Sequence, residues 1–221
     1  MALAEYAPEV RMVALDLDGT LVDQAAAARR WAREFADSHG IDLAVETVAE
    51  ALIERRPKSE VFAELVLRFE LPVVADEMWA DYRRRMPALV TCTPEDRQAL
   101  IELRHHGWRL GIITNGMVDN QQGKIRALGL DALVDGWVIS EEVGARKPEP
   151  ALFEALAARL GCPLEGWIIG DSLDHDIGGG AAVGLHTAWI TRGESPPLTD
   201  RRPDLVVDSV AEAAKEILRR S

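Results

Sequence analysis

The chain has 221 residues, of which 48% are hydrophobic and 28% are charged, and its formal net charge is -12. This composition predicts a packed globular protein, and the length suits one core domain carrying an inserted subdomain. The negative charge argues against nucleic acid and anionic membranes as partners, because both repel an acidic surface. No apolar run approaches the roughly 20 residues of a membrane span, and the N-terminus lacks the pattern of a secretion signal. We therefore expect a cytoplasmic protein.

The first predicted elements are a short buried strand and a series of helices. The strand covers Met12–Leu15, and the helices cover residues 24–38, 45–56, 59–69 and 75–85. A helical block of about 60 residues is too long for a simple connection between two strands. We therefore predict that residues 23–86 form an inserted helical-bundle cap, and that residues 1–22 and 87–221 form the catalytic core.

The rest of the chain alternates strands with helices. Apolar runs predict strands at residues 110–113, 167–169 and 187–190, with weaker candidates at 134–139 and 205–207. Helices are predicted from Thr93, which suits an N-cap, to about residue 105, and over 150–160 and 210–219. This alternation predicts an α/β fold with a Rossmann-like parallel sheet and helices on both faces.

Polar residues follow three of the predicted strands directly. They are the segments Asp16–Thr20, Thr114–Gly116 and Gly170–Ser172. Aspartate is disfavoured in strands, and ligands of open α/β sheets bind beyond the carboxyl ends of the strands. If the three strands are parallel neighbours, these side chains converge on one crevice.

The residue types in these segments point to a cation and an anion bound together. Asp16 and Asp18 are two residues apart and lie on one face if the strand continues. Two adjacent carboxylates repel, so a cation is their natural neutraliser, and Asp171 supplies a third oxygen ligand of the kind that Mg²⁺ prefers. The hydroxyl of Thr114 and the amide of Asn115 can hold an anionic oxygen.

These segments resemble, in order, the four motifs of the haloacid dehalogenase superfamily of hydrolases. The matching segments are Asp16–Val22, Ile113–Gly116, Lys147 with Pro148, and Gly170–Asp176. The resemblance covers about residues 11–195 and puts the helical cap between the first and second motifs. Residues 111–116 and 139–144 are also similar to the branch that contains pyrimidine 5′-nucleotidases and N-acylneuraminate phosphatases.

The resemblance implies a phosphatase that acts on a small phosphorylated metabolite. Asp16 is then the nucleophile that forms an aspartyl-phosphate, and Asp18 is the general acid and base. The implied cofactor is Mg²⁺, held by the Asp16 carboxylate, the Asp18 backbone carbonyl and Asp171.

The resemblance also implies how the phosphoryl group is held. Thr114, Asn115 and Lys147 are expected to bind its oxygens, because phosphoryl transfer depends mainly on positioning and electrostatics. Asp176 is expected to support either the magnesium waters or Lys147 from outside the first layer of ligands.

Three other functions stay open at this point. A carbon–halogen hydrolase of the same superfamily usually lacks the second aspartate, because a halide needs no protonation, whereas Asp18 is present here. A sugar phosphomutase needs a cap that holds a bisphosphate. A non-catalytic metabolite-binding module keeps the fold but loses a carboxylate of the site.

A basic cluster in the predicted cap is the remaining candidate site. Arg55, Arg56 and Lys58 lie together at a predicted helix junction in an otherwise acidic chain. They are either a solvated junction or the residues that read the substrate beyond its phosphate. The sequence leaves the substrate and the oligomeric state open.

Overall fold

The computed structural model describes residues 11–40, 44–54, 56–193 and 202–220. Its strands are β1 (Met12–Leu15), β2 (Arg109–Thr114), β3 (Gly136–Ile139), β4 (Gly166–Gly170), β5 (His186–Ile190) and β6 (Leu205–Val207). Within this part of the chain they form one sheet in the order β3-β2-β1-β4-β5-β6, and every neighbouring pair is parallel. The predicted α/β fold with a Rossmann-like core is therefore confirmed.

Helices connect these strands in chain order. They are α1 (Gln24–His39), α2 (Val45–Ile53), α3 (Lys58–Arg68), α4 (Ala75–Leu89), α5 (Pro94–His105), α6 (Val118–Ala127), α7 (Ser140–Val143), α8 (Pro150–Leu160), α9 (Gly179–Ala182) and α10 (Val210–Arg220). A 3₁₀ turn covers Leu130–Ala132, and a π-helical turn covers Leu173–Gly178. Thr93 caps α5 as predicted, since its side chain accepts a hydrogen bond from the backbone N–H of Asp96.

Both faces of the sheet are covered by helices. In β1, Met12 and Ala14 belong to an apolar cluster with the α8 residue Phe153. Val13 and Leu15 belong to a second cluster that includes residues of α5 and α10. Alternate side chains of a strand point to opposite faces, so all residues of this central strand are buried.

The order of the strands reverses around β1. Leu15, the last residue of β1, pairs with Ile112 of β2 on one side and with Ile169 of β4 on the other. The carboxyl ends of these three strands are therefore level with one another. A crevice at such a switch point is where open α/β sheets bind ligands.

The helices α1 to α4 lie between β1 and β2, and we call them the helical insertion. Their interior is aromatic: Trp31 of α1 contacts Phe62 of α3 and Tyr82 of α4, with ring centroids 5.8 and 5.2 Å apart. The apolar cluster continues from these residues to the sheet. Helix α4 extends past the expected cap boundary at residue 86 and ends at Leu89, and the division into cap and core stays a prediction.

Two details of the helices differ from the sequence prediction. Helix α2 ends at Ile53, not at residue 56, and Glu54 is extended (φ −57°, ψ 144°). A helix that continued to residue 56 would place the residue directly before Pro57 in the helical conformation, which a following proline disfavours. Helix α6 was not predicted, since polar residues and Gly123 interrupt its apolar pattern. That glycine allows close packing: a Cβ on it would lie 2.7 Å from Cγ of Pro87 in α4.

No helix in the described part of the chain is both long enough and apolar enough to cross a membrane. The cytoplasmic location stays a prediction.

Candidate active site

Lys147 lies at the centre of the site, between the carboxyl ends of β1, β2 and β4. Its Nζ is 2.5 Å from Oδ1 of Asp16, 2.7 Å from Oδ1 of Asp176 and 2.8 Å from the backbone carbonyl of Ile113. The side chain is 2% exposed, so each of the ammonium's three N–H groups has an acceptor inside the protein. The convergence expected from the sequence is thus present around this amine.

The pKa values of both Lys147 and Asp16 are raised above their ordinary values. Burial acts to lower the pKa of Lys147, but the negative charges of Asp16 and Asp176 raise it overall. Burial raises the pKa of Asp16 to about 8, and Asp176 and Asp171 add to this effect while Lys147 opposes it. The pKa of Asp16 is thus raised although Lys147 lies beside it, because burial disfavours the charged form of the carboxyl group.

The carboxylates of Asp16, Asp171 and Asp176 form a group that fits a divalent cation. One oxygen from each lies within 4.8 Å of the others. Their chemistry is that of hard oxygen ligands, which suit Mg²⁺. The turn at Gly19 comes very close to this acidic group, since a Cβ on Gly19 would lie 2.2 Å from Oδ2 of Asp171.

Asp176 contacts Lys147 and also belongs to the acidic group, which are the two surroundings expected for it. Its Oδ1 accepts from Lys147, and its Oδ2 accepts from the backbone N–H of Ser172 at 2.9 Å. These contacts fix the carboxylate beside the lysine while leaving it within the acidic group. Its role as a supporting residue stays a prediction.

Asp18 lies outside the acidic group and has a lysine of its own. Strand β1 ends at Leu15, so the strand does not extend to Asp18 and a turn sets the direction of this side chain. Nζ of Lys124 lies 2.8 Å from its Oδ1 and 3.0 Å from its Oδ2. Gln121 donates to the same Oδ2 at 3.0 Å. The two aspartates of the first motif are therefore held by different cations.

Thr114 ends β2, Asn115 follows it, and the two side chains have different partners. The Thr114 hydroxyl oxygen accepts from Nε2 of Gln121 at 2.6 Å. Asn115 accepts from the backbone N–H of Lys147 at 2.9 Å and donates to its carbonyl at 3.1 Å. The Asn115 side chain thus fixes the backbone that carries Lys147, and a direct contact with phosphate stays a prediction.

The basic cluster is split by the structure. Arg55 lies outside the described residues. Arg56 is bound by two carboxylates, with Nε 2.7 Å from Glu54 and Nη2 2.5 Å from Glu64. Lys58 donates to the backbone carbonyl of Glu54 at 2.6 Å.

Lys58 differs from Arg56 in its electrostatic surroundings. Burial lowers the pKa of Lys58 to about 8, and the negative charge of Asp18 opposes this effect. The charges that act on Arg56 are mainly those of Glu64 and Glu54. Of these two cations, Lys58 is the one on whose pKa the charge of Asp18 acts.

A match to known proteins decides the family. Residues 10–184 match the haloacid dehalogenase-like hydrolases. The chain belongs to the haloacid dehalogenase-like hydrolase family. This confirms the family inferred from the four motifs, and with it the expectation of a hydrolase.

Relatives of this haloacid dehalogenase-like hydrolase carry phosphatase names. A glyceraldehyde 3-phosphate phosphatase from Pyrococcus abyssi is 34% identical over an alignment of 199 positions that covers 84% of this chain and 83% of the relative. An N-acylneuraminate-9-phosphatase from Rattus norvegicus is 30% identical over an alignment of 228 positions that covers 92% of each chain, in agreement with the branch suggested by residues 111–116 and 139–144. Both names agree with a phosphatase.

A solved structure shares the fold of this hydrolase. The HAD-hydrolase YfnB from Bacillus subtilis, bound to magnesium, has a TM-score of 0.82 and 23% identity, over 95% of this chain and 99% of that one. At this identity the likeness shows the common fold.

Sequence reasoning missed two polar residues of this hydrolase's site. Gln121 and Lys124 lie on α6, three residues apart, and both are buried. The signal was their spacing: residues at i and i+3 of a helix share a face, and this helix begins directly after the Thr114–Gly116 segment. The interrupted apolar pattern of α6 concealed the helix and with it the spacing.

Proposed function

We propose that this hydrolase is a Mg²⁺-dependent phosphatase that cleaves a small phosphorylated metabolite through an aspartyl-phosphate on Asp16. The observation that carries the proposal is the pairing of each aspartate with its own lysine. Lys147 contacts Asp16 within the acidic group, and Lys124 holds Asp18 apart from that group. Two carboxylates in different surroundings can take different roles in one reaction.

The proposed reaction has two steps. In the first, an Oδ atom of Asp16 attacks phosphorus, the bond to the ester oxygen breaks, and Asp18 gives its proton to that oxygen so that an alcohol leaves. In the second, Asp18 takes a proton from water as the water oxygen attacks phosphorus. The bond to Asp16 then breaks, and inorganic phosphate and the free carboxylate are formed.

Thr114 and Lys147 are the proposed ligands of the phosphoryl oxygens. Lys147 carries the positive charge nearest to Asp16, and the Thr114 hydroxyl already accepts a hydrogen bond from Gln121, which leaves its own hydrogen to donate. Fixed donors of this kind stabilise charge that develops on the transferred group. Asn115 supports them by holding the backbone of Lys147.

Asp16, Asp171 and Asp176 are the side chains proposed to surround Mg²⁺, with the backbone carbonyl of Asp18 added by the family resemblance. A bound cation supplies charge neutralisation between the anionic nucleophile and the anionic substrate. Its support here is the presence of three carboxylates close together, in which burial raises the pKa of Asp16 to about 8 and the charges of Asp176 and Asp171 add to this effect. The fit of the donor set to a hard cation adds to this support.

The substrate is proposed to carry a second anionic group, read by Lys58. Arg56 is already neutralised by Glu54 and Glu64, whereas Lys58 is near enough to Asp18 for that charge to act on it. The substrates in the names of the relatives differ from each other, so we propose this chemical class and no single compound.

The test of the proposed reaction is hydrolysis of a panel of small phosphate monoesters with Mg²⁺, measured as released inorganic phosphate. Asp16→Asn keeps the shape but loses the nucleophile and is expected to lower kcat by at least about 10³-fold. Asp131→Asn, at an exposed position, is the matched control and should keep wild-type activity.

Two outcomes contradict the phosphatase. One is an Asp16→Asn variant that retains more than about a tenth of the wild-type activity. The other is a wild-type protein that releases halide from 2-haloacids but no phosphate from any ester. That result indicates the carbon–halogen hydrolase instead.

A further inference from the structure

Lys124 is a buried cation that exchanges no proton and binds no phosphoryl oxygen in the proposed phosphatase reaction. It lies on α6, its side chain is completely buried, and its Nζ contacts both oxygens of Asp18, at 2.8 and 3.0 Å. The third acceptor is Oε1 of Gln24, at 3.1 Å. An ammonium group is costly to remove from water unless it is paired and hydrogen-bonded, and here it has both kinds of partner.

The geometry at Asp18 leaves one side of the carboxylate accessible. The Asp18 side chain is 29% exposed, whereas that of Lys124 is 0% exposed. The lysine therefore approaches from the protein interior and fixes the carboxylate from behind. Because it contacts both oxygens, it restricts rotation of the carboxylate as well as its position.

Gln121 connects Asp18 to the proposed phosphoryl-binding residue. Its amide nitrogen donates to Oδ2 of Asp18 at 3.0 Å and to the hydroxyl oxygen of Thr114 at 2.6 Å. An amide NH₂ group has two hydrogens, so both bonds can exist at once. Gln121 thereby holds the side chains of Asp18 and Thr114 close to each other.

Gln24 connects Lys124 to the helical insertion. It is the first residue of α1, and its Nε2 donates to the hydroxyl of Tyr82 in α4 at 2.6 Å. The chain enters the insertion through α1 and leaves it through α4. Lys124 therefore contacts Gln24 of the helical insertion and, toward the crevice, Asp18.

We propose that Lys124 is the positioning residue of Asp18 and aligns this carboxyl group with the oxygen of the leaving alcohol. The inference rests on the proposed phosphatase function, in which Asp18 is the general acid. Lys124 has no contact with the crevice of its own and acts through Asp18 alone. Gln121 donates a hydrogen bond to the carboxylate and Gln24 accepts one from the lysine, so both groups are held in place.

The test compares two esters in single-turnover phosphorylation of the protein with Mg²⁺. An alkyl phosphate needs a proton on its leaving oxygen, whereas 4-nitrophenyl phosphate leaves readily without one. Lys124→Met is expected to slow the alkyl ester by about 100-fold, as for a misplaced catalytic group, and the aryl ester by less than about 3-fold. Retention of the aryl reaction shows in the same sample that the variant is folded.

A double-mutant cycle tests the route of the effect. If Lys124 acts only through Asp18, adding Lys124→Met to Asp18→Asn should have little further effect. The double variant should phosphorylate from the alkyl ester no more than about 2- to 3-fold more slowly than Asp18→Asn alone. Additive losses overturn the proposal.

Gln24→Met is a second variant that keeps the ion pair. This variant removes one hydrogen-bond acceptor of the lysine. It is again expected to slow the alkyl ester more than the aryl ester, but by only about 3- to 10-fold. An unchanged ratio of the two esters in both Lys124→Met and Gln24→Met overturns the proposal. If the wild type hydrolyses neither ester, the proposed phosphatase is wrong; if it hydrolyses both and the variants slow both equally, only the role of Lys124 is wrong.

Discussion

Lys147 and Asp16 are 131 residues apart in the chain, yet Nζ of the lysine lies 2.5 Å from Oδ1 of the aspartate. The lysine also contacts Asp176, and all three side chains are buried. This arrangement exists only in the folded protein, so it links the stability of the core to the charge of the site.

Replacing Lys147 by methionine is expected to destabilise the protein and to remove activity. Loss of one partner leaves buried carboxylates without their cation, at a cost of about 3–5 kcal/mol. A bound Mg²⁺ compensates part of the missing charge, so the loss should be smaller with saturating Mg²⁺ than with EDTA. Urea unfolding under the two conditions measures the difference, and an equal loss in both contradicts a metal next to this lysine.

Magnesium is expected to stabilise the folded protein before any substrate is added. At 10 to 100 times the dissociation constant, binding contributes about 1.4–2.7 kcal/mol, which corresponds to a Tm shift of about 3–10 °C for a chain of this size. Asp171→Asn should remove most of the shift, because it removes one carboxylate of the acidic group. Thermal unfolding with and without Mg²⁺ checks this, and an undiminished shift in the variant excludes Asp171 as a ligand.

Gly19→Ala is expected to damage the metal site from the neighbouring turn. Gly19 has a φ of 86°, and a Cβ there would overlap the carboxylate of Asp171. The left-handed conformation alone costs about 1–2 kcal/mol with a side chain. Gly40→Ala is the matched control, since Gly40 has a φ of 63° and nothing within 4 Å of a Cβ.

The two glycine variants should therefore lose similar stability and differ in metal binding. Gly19→Ala should need about 10-fold more Mg²⁺ for half-maximal activity, because its methyl group displaces a ligand. A magnesium titration gives this value directly. Equal titrations for Gly19→Ala and Gly40→Ala would show that the close approach at residue 19 has no bearing on the metal.

If Lys58 binds a second anionic group of the substrate, as proposed, the preference among substrates should depend on pH. Burial lowers the pKa of Lys58 to about 8, so the side chain is charged below this pH and loses its charge as the pH rises through it. The ratio of kcat/KM for 3-phosphoglycerate to that for glycerol 3-phosphate should fall over this range. The expected fall is about 10-fold, the value of one charge-assisted contact.

Lys58→Met should have the low ratio at every pH, whereas the exposed Lys215→Met should behave as the wild type. Steady-state kinetics from pH 6.5 to 9.5 distinguish them. A pH profile of the ratio that is the same in Lys58→Met and in the wild type excludes Lys58 as the reader of the second anion.

The sheet and the acidic residues could be predicted because their signals are local. Each strand is a short apolar run, and Asp16, Thr114 and Asp171 each follow such a run directly. Parallel pairing then brings them together without further information. Lys147 was accessible only through the family pattern of a lysine before a proline.

Lys124 was not predicted, because only its spacing from Gln121 is a local signal, whereas its burial and its contact with Asp18 are not. The residue reads as an ordinary surface lysine on a weakly apolar segment, and its burial depends on contacts with Asp18 and Gln24, 106 and 100 residues away in the chain. The same reason explains why Arg56 and Lys58 looked equivalent in the sequence. Their difference comes from Glu64 on one side and Asp18 on the other.

The contact between Gln24 and Tyr82 has a consequence for protein engineering. Substrate preference in such an enzyme could be altered by exchanging the helical insertion with that of a relative. A chimera joined at residues 24 and 89 replaces both ends of the hydrogen-bonded path to Lys124. Junctions placed inside α1 and α4, after Gln24 and before Tyr82, exchange the outer part of the insertion and keep its connection to Asp18.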